Sequence, residues 1–195
     1  MKNKYFILRH GQSRANVAQI ILSNLEDGKK EEFTLTKEGE NQVKVSVENA
    51  KKVGWLDKKT IIYSSPFSRC KKTAEIAKEI LGVNDDIIFD DRLRERWFGE
   101  HEQTHSSAYQ KIWDADKVNS EHKEFGVESA KEVQERTLLL IKDLENKYKN
   151  KNILLISHGD VLQILQTGTK NISPALHRQI KHLETGEIRE LELDN

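Results

Sequence analysis

Three short apolar runs interrupt an otherwise heavily charged chain: Tyr5-Phe-Ile-Leu8, Thr60-Ile-Ile-Tyr63 and Asn152-Ile-Leu-Leu-Ile156. Runs this short and continuous predict strands buried on both faces. Between them the apolar positions recur every three or four residues, the helical spacing. Thr36 is placed to cap a helix reaching about Val53, with Val43, Val47 and Ala50 on one stripe. Ser65-Pro66 has the form of a cap followed by a first-turn proline, which predicts a helix from there to Gly82. The clearest stripe, Val133, Thr137, Leu140, Ile141, Leu144 and Tyr148, predicts a helix over roughly 128–149. After Gly168 the periodicity weakens, and Thr185-Gly186 between 179–183 and 187–193 predicts a β-hairpin. Strands alternating with helices predict an α/β fold, a three-layer sandwich whose mostly parallel central sheet is covered by helices on both faces. At 195 residues the chain suits one core, so a single domain over 1–195 is expected.

Charge narrows the partners. Lys plus Arg and Asp plus Glu number 32 each, so no global field recruits nucleic acid or an anionic membrane. Cys70 is the single cysteine, which rules out an internal disulfide and suits a reducing compartment. The basic start, Met-Lys-Asn-Lys, is followed by only a four-residue apolar run before Arg9-His10, too short for an export signal or a membrane span. A cytoplasmic protein with neither nucleic-acid nor membrane partners is expected. Trp55, Trp97 and Trp113 are expected as core or pocket walls, and Cys70 as a packed thiol.

In an open parallel sheet the site lies outside the carboxyl ends of the strands. Those ends carry Arg9-His10-Gly11, Ser64-Ser65-Pro66-Phe67-Ser68-Arg69 and Ser157-His158-Gly159. His10, His158, Arg9 and Arg69 therefore converge on one edge, with a glycine after each histidine to free the backbone for a ligand. Arginine forks and helix N-termini suit phosphate oxygens, so the edge has the makings of a phosphoryl site.

Arg9-His10-Gly-x-Ser13-x-x-Asn16 resembles the signature of the histidine phosphatases, the phosphoglycerate mutase-like family. The family's later landmarks follow in order: Ser64-Ser-Pro-x-x-Arg69-x-x-x-Thr73-Ala74, then Leu93-Arg94-Glu95 with Gly99 and Glu102, then Ser157-His158-Gly159. The resemblance implies a phosphoglycerate mutase-like fold and a small phosphorylated substrate. It makes His10 the nucleophile, Arg9, Arg69 and His158 the groups that hold phosphoryl oxygens, and Glu95 the general acid. Gly11, Ser13, Asn16, Arg96 and the amide of Gly159 would complete the binding site, with no metal and no cofactor. Nearby arginines are expected to keep His10 neutral, and burial beside a phosphate to raise the proton affinity of Glu95. The family includes mutases as well as phosphatases. The mutases hold the substrate carboxylate with arginines in an insertion after the glutamate motif, whereas residues 101–125 contain no arginine here, and Asp160-Val161 stands where mutases carry Asn-Ser. Arg96 keeps a mutase-like residue, yet the balance favours a phosphatase. Phe125-Gly-Val-Glu-Ser129 and Gln103 also depart from the family's glycine-rich pattern.

Two other function classes remain to be weighed. His101-Glu102-Gln103-Thr104-His105 is a literal H-E-x-x-H, which on a helix would direct two imidazoles at a zinc ion. Its flanks, Gly99-Glu100 and Ser106-Ser107, are not those of a buried apolar helix. A non-catalytic anion-binding scaffold is disfavoured because nucleophile, acid and phosphate clamp are all present.

Overall fold

The three apolar runs become the three central strands of a five-stranded sheet. The computed structural model describes residues 2–192. In chain order these form β1 (Lys4–Arg9), α1 (Arg14–Val17), α2 (Leu25–Gly28), α3 (Lys37–Lys52), β2 (Ile61–Ser64), α4 (Ser68–Leu81), β3 (Ile88–Phe89), α5 (Tyr109–Val118), α6 (Ala130–Lys147), β4 (Asn152–Ser157), α7 (Gly159–Thr169) and β5 (Ile188–Glu190). The strand order is β3-β2-β4-β1-β5, parallel throughout except for β5, which runs antiparallel along β1. Register aligns Arg9 with Ser157 and Ser64 with Ile156, so all three long strands end level. The ladder continues one step further, through His10 N–H to the Ser157 carbonyl and Ser65 N–H to that of Ile156.

The period of two along β1 divides the core. Phe6 and Leu8 face α3 and α4 with Val43, Val47, Ala74 and Ala77. Tyr5 and Ile7 face the other layer, with Leu140, Ile141 and Leu144 of α6 and Leu162 and Leu165 of α7. Truncating any one of these leucines to alanine costs about 2–5 kcal/mol. The helix ends follow local chemistry: the Thr36 hydroxyl accepts from Gly39 N–H, and Ser129 and Glu132 form a reciprocal capping box, a cap worth about 1 kcal/mol.

Two expectations need correction. The helix after β2 begins at Ser68, with Phe67 as an N-cap that makes no side-chain bond. Ser65 lies two residues before that N-cap, and its hydroxyl is shared between His158 Nε2 at 2.9 Å and Phe67 N–H at 3.4 Å. The hairpin does not form either. Side chains claim the carbonyls that its first strand would use: Gln163 binds that of Ile180, Arg189 those of Lys181 and His182, and Arg9 that of Leu183. Gly186, at φ +76°, instead donates to the carbonyls of Arg9 and His10. What was expected as the second hairpin strand supplies β5; its last residue, Leu193, lies outside the described residues.

Residues 99–127, including α5, build a cap over the carboxyl edge around a separate cluster of Ile21, Phe98, Ile112 and Val127. The cap is paired to the loop after α1 through Ile21 N–H to Thr104 O, Gln103 N–H to Ile21 O and Ser106 N–H to Gln19 O. No helix among the described residues is long and apolar enough to cross a membrane.

Candidate active site

β1 delivers His10 to the carboxyl edge, and the chain must then turn at once into α1. Ser13 and Asn16 make that turn with a reciprocal capping box. Gly11 allows it in a second way: a Cβ there would lie 2.2 Å from the Gly39 carbonyl, so the N-terminus of α3 abuts the loop directly. The freedom at Gly11 thus serves backbone packing, not the approach of a ligand.

The His10 ring is buried, and its tautomer follows from its two partners. Nδ1 lies 2.8 Å from the Gly11 carbonyl, which can only accept, so Nδ1 carries the proton. Nε2 then holds a lone pair, to which Arg69 Nε donates at 3.2 Å. Burial, with Arg69 and Arg9 adding to it, pushes the His10 pKa well below the ordinary histidine value. A neutral imidazole with its free nitrogen facing a guanidinium is the result.

Arg69, on the first turn of α4, joins the site's members. Its Nη2 reaches the Leu22 carbonyl at 3.0 Å and His158 Nδ1 at 3.1 Å, and lies 3.6 Å from Glu95 Oε2. Its Nη1 is buried with no hydrogen-bond partner among the described residues. Because Arg69 can only donate, His158 carries its proton on Nε2, toward Ser65. Burial first, then Arg69 and His10, hold His158 neutral. Arg9 Nη1 is fixed by the Leu183 carbonyl at 2.8 Å and His182 Nε2 at 2.6 Å, while its Nε is buried without a partner. These unpartnered N–H groups are the donors that an oxyanion would satisfy.

Glu95 sits in the loop after β3, which Ser157 anchors by donating to the Leu93 carbonyl at 2.7 Å. One oxygen accepts from Arg96 N–H at 3.0 Å, and the other lies 3.5 Å from His158 Nδ1. Burial pushes its pKa up to about 7, reinforced by Asp160 and opposed by Arg69 and Arg9. A cavity of about 290 Å³ opens above this cluster. His10, Arg9, Arg69 and Glu95 line it, and so do Ser13, Asn16 and Gly159.

A family model for the histidine phosphatase superfamily (branch 1) matches residues 5–195. The chain belongs to the histidine phosphatase superfamily. Among its relatives, a putative phosphoserine phosphatase 2 of Hydrogenobacter thermophilus is 29% identical over 170 residues, covering 83% of this chain and 76% of the relative. A probable phosphoglycerate mutase GpmB of Escherichia coli is 30% identical over 165 residues, covering 82% and 71%. A mycobacterial glucosyl-3-phosphoglycerate phosphatase, solved with VO3, superposes with a TM-score of 0.78 at 20% identity, covering 99% of this chain and 98% of the other. At that identity the superposition establishes the shared fold.

Three residues expected in this histidine phosphatase's binding site do not open onto the cavity. Gly11 and His158 lie beneath it, His158 touching the lining residues Arg69, Glu95 and His10, the last edge-on at 5.3 Å between ring centroids. Arg96 points away, fully buried behind the site, its guanidinium bidentate on Asp116 of α5 at 2.6 and 2.7 Å and 3.3 Å from Asp160 of α7. Two carboxylates on other elements outcompete any pull toward the cavity. His122 joins Asp116 at 2.9 Å, and Trp113 Nε1 donates to Asp160 at 2.9 Å. Burial alone would raise the Asp160 pKa, but His177, Arg96 and Arg178 together bring it below the usual carboxylate range. A polar network therefore ties the cap to the floor of the site.

The histidine phosphatase's H-E-x-x-H segment is no metal helix. Residues 99–101 form a single 3-10 turn, and Gln103 has φ +59°, which breaks the helical spacing that would align His101 with His105. Glu102 instead accepts from the amides of Ser23 and Asn24 at 2.8 and 3.0 Å. Cys70 is buried, and burial pushes its thiol up to about 12, so it is a packing residue. Trp113 lines the cavity as a wall, whereas Trp55, against expectation, is exposed and covers Phe6 from outside by stacking on it. The sequence reading did not single out Asp116, Arg178 or His182. The paired basic residues His177-Arg178 and Lys181-His182 were the visible hint of the last two.

Proposed function

We propose that the chain is a metal-independent phosphatase that hydrolyses a small phosphomonoester through a phosphohistidine on His10 Nε2. The observation that carries this reading is the neutral His10 ring, with its free nitrogen facing Arg69 beside a carboxyl group that is half-protonated near neutral pH. Arg69 Nε–H lets go of Nε2 and turns to the phosphoryl oxygens, Nε2 attacks phosphorus with the lone pair so released, and the ester P–O bond breaks. The departing oxygen takes the proton from Glu95, while Arg9 and Arg69 stabilise the equatorial oxygens. The Gly11 carbonyl, already holding Nδ1–H, supports the positive charge that phosphorylation places on the ring. Water then attacks the phosphohistidine and gives its proton to Glu95, the N–P bond breaks, and phosphate leaves with both groups restored. Ser13, Asn16 and the Gly159 amide border the phosphoryl position. His158 acts from below, holding Arg69 and Glu95 in place. The relatives named as phosphatases support hydrolysis, and so does the cap: of residues 101–125 only the uncharged Ser106, Tyr109 and Trp113 reach the cavity, so the insertion offers no arginine clamp of the mutase kind.

Glu95→Gln tests the acid. Loss of a general acid costs about 10²–10⁴-fold, and it should fall on alkyl phosphates, whose leaving oxygen needs the proton. An aryl phosphate should be affected far less. In the parent enzyme the alkyl rate should decline as pH rises through about 7, where the protonated form of Glu95 is lost, and the aryl rate should not follow it. Equal losses on both substrates would remove Glu95 as the donor. Because two arginines supply the charge, treatment with EDTA should leave turnover intact; inactivation reversed by one added divalent metal would overturn the metal-independent mechanism.

A further inference from the structure

The zero net charge of the chain conceals a segregation. The cavity occupies the carboxyl edge of the sheet, and the amino edge, at the opposite end, is basic. The chain enters β1 through Lys2-Asn3-Lys4, β2 through Lys51-Lys52-Val53-Gly54-Trp55-Leu56-Asp57-Lys58-Lys59, and β4 through Lys147-Tyr148-Lys149-Asn150-Lys151. Register sets Lys4 opposite Asn152 and Ile61 opposite Ile153, so the three central strands start level and their entry segments share one edge. Lys4 N–H donates to the Lys151 carbonyl, Asn150 N–H to that of Lys2, and the Asn152 side chain to that of Trp55 at 3.0 Å, which holds the segments side by side.

Every lysine in these segments is exposed, and none forms an ion pair among the described residues. The carboxylates beside them are engaged with other donors. Asp57 accepts from Lys59 N–H at 2.7 Å, and Glu145 from Lys2 N–H, Asn3 and the Tyr5 hydroxyl. Acidic residues return at the flank, with Asp85 and Asp86 before β3. Helix dipoles account for part of the pattern, since Lys51, Lys52 and Lys147 sit in the last turns of α3 and α6. They do not account for Lys2, Lys4, Lys58, Lys59, Lys149 and Lys151, which lie outside any helix.

An apolar point stands among these charges. Val53 is 64% exposed and Trp55 38%. Gly54 between them has φ +79°, and a Cβ on it would meet no atom within 4 Å, so the turn projects into open space. Trp55 is fixed from behind, stacked on Phe6 with 5.5 Å between centroids. A projecting valine and tryptophan among lysine stems match the boundary between lipid headgroups and acyl chains, where indoles settle and ammonium groups reach the phosphates. The cations are all lysines, hydrated point charges on flexible stems that suit a diffuse, fluid array of anions. These segments hold no arginine fork of the kind that grips a nucleic-acid phosphate or base.

We propose that the amino edge of the sheet is a peripheral docking face for an anionic lipid bilayer, with the turn at 53–55 entering the headgroup layer and the surrounding lysines held by lipid charge. Such binding is reversible and needs no spanning helix. It leaves the His10 cavity, at the other edge, open to water.

The test is sedimentation of the full chain with vesicles of phosphatidylcholine, alone or with about a third phosphatidylserine. The protein should partition onto the anionic vesicles, remain in the supernatant with phosphatidylcholine alone, and be released by raised salt. A lysine near an anionic surface contributes roughly 5-fold in affinity, so Lys58→Glu/Lys59→Glu should weaken binding at least roughly 25-fold, as should Lys149→Glu/Lys151→Glu. Brominated acyl chains should quench the tryptophan emission of the bound protein, and Trp55→Phe should remove that quenching while most of the binding remains. Circular dichroism should match the parent in all three variants. No binding of the parent protein to anionic vesicles would overturn the proposal whatever the variants do, and so would binding that either charge reversal leaves intact. Binding without quenching, or tighter binding to a single-stranded oligonucleotide than to vesicles, would assign the face to a soluble polyanion and refute the lipid assignment.

Discussion

His10→Ala is expected to lower turnover roughly 10⁴-fold or more, the scale on which removal of an attacking nucleophile acts. The other imidazole lining the cavity, His182, has its Nε2 engaged by Arg9 Nη1. Arg9 and Arg69 are cations, Glu95 is buried at the acid's position, and the Ser13 hydroxyl is engaged with Asn16 at 2.9 Å. The fold should survive, because the ring's only bonds are to the adjacent Gly11 carbonyl and to Arg69. The parent enzyme quenched into alkali during turnover of a ³²P-labelled substrate should carry label on the peptide containing Arg9-His10-Gly11. Acid should release it, as expected for a phosphoramidate and not for a serine ester. The alanine variant should carry none. Label on Ser13 or His158, or substantial activity in the variant, would refute the mechanism while leaving the fold untouched.

The second large effect is on stability. Arg96 and Asp116 are both fully buried, and they are paired through two hydrogen bonds. Removing Asp116 takes two hydrogen bonds from the buried Arg96 and leaves its charge facing only Asp160 at 3.3 Å, a loss of up to about 3–5 kcal/mol. For a domain of this size Asp116→Ala should lower Tm by roughly 10 °C or more. The double variant Arg96→Met/Asp116→Leu should be markedly more stable than the single variants predict by addition, because it removes both charges at once. A single variant that melts within a degree or two of the parent would show that the pair is hydrated in solution. Because Arg96 N–H also binds Glu95, Asp116→Ala should in addition disturb the pH dependence of alkyl phosphate turnover.

Much of this architecture could be read from local pattern. β1, β2 and β4 announce themselves as apolar runs, and α3 and α6 by stripe and cap. The convergence of His10, Arg69 and His158 follows from each lying at or just beyond a strand end. What could not be read depends on partners far along the chain. Ser65 looks like a helix cap, yet its hydroxyl is divided between Phe67 N–H and His158, 93 residues later, and the helix starts only at Ser68. Arg96 looks like a neighbour of Glu95 until Asp116 and Asp160 draw its side chain the other way. The departures from the glycine-rich pattern were informative in retrospect. Gln103 and Phe125 sit at φ +59° and +61°, the left-handed region that glycine enters freely and a bulky side chain does not. In Phe125 the cap keeps an aromatic that packs on His101, at the cost of a strained backbone.

The lashing of Arg9 and His10 by residues 182–186 has a consequence for the order in which the enzyme comes into being. Arg9 is made long before its partners, yet its guanidinium is held by His182 and the Leu183 carbonyl, and its backbone and that of His10 by Gly186. As the chain leaves the ribosome, β1 must wait for β4 to pair with it and for residues 182–186 to clamp its end. A ribosome-bound chain arrested before residue 182 has emerged therefore carries His10 without a seated arginine beside it, so that the anion site stays incomplete until residues far along the chain have folded back onto β1.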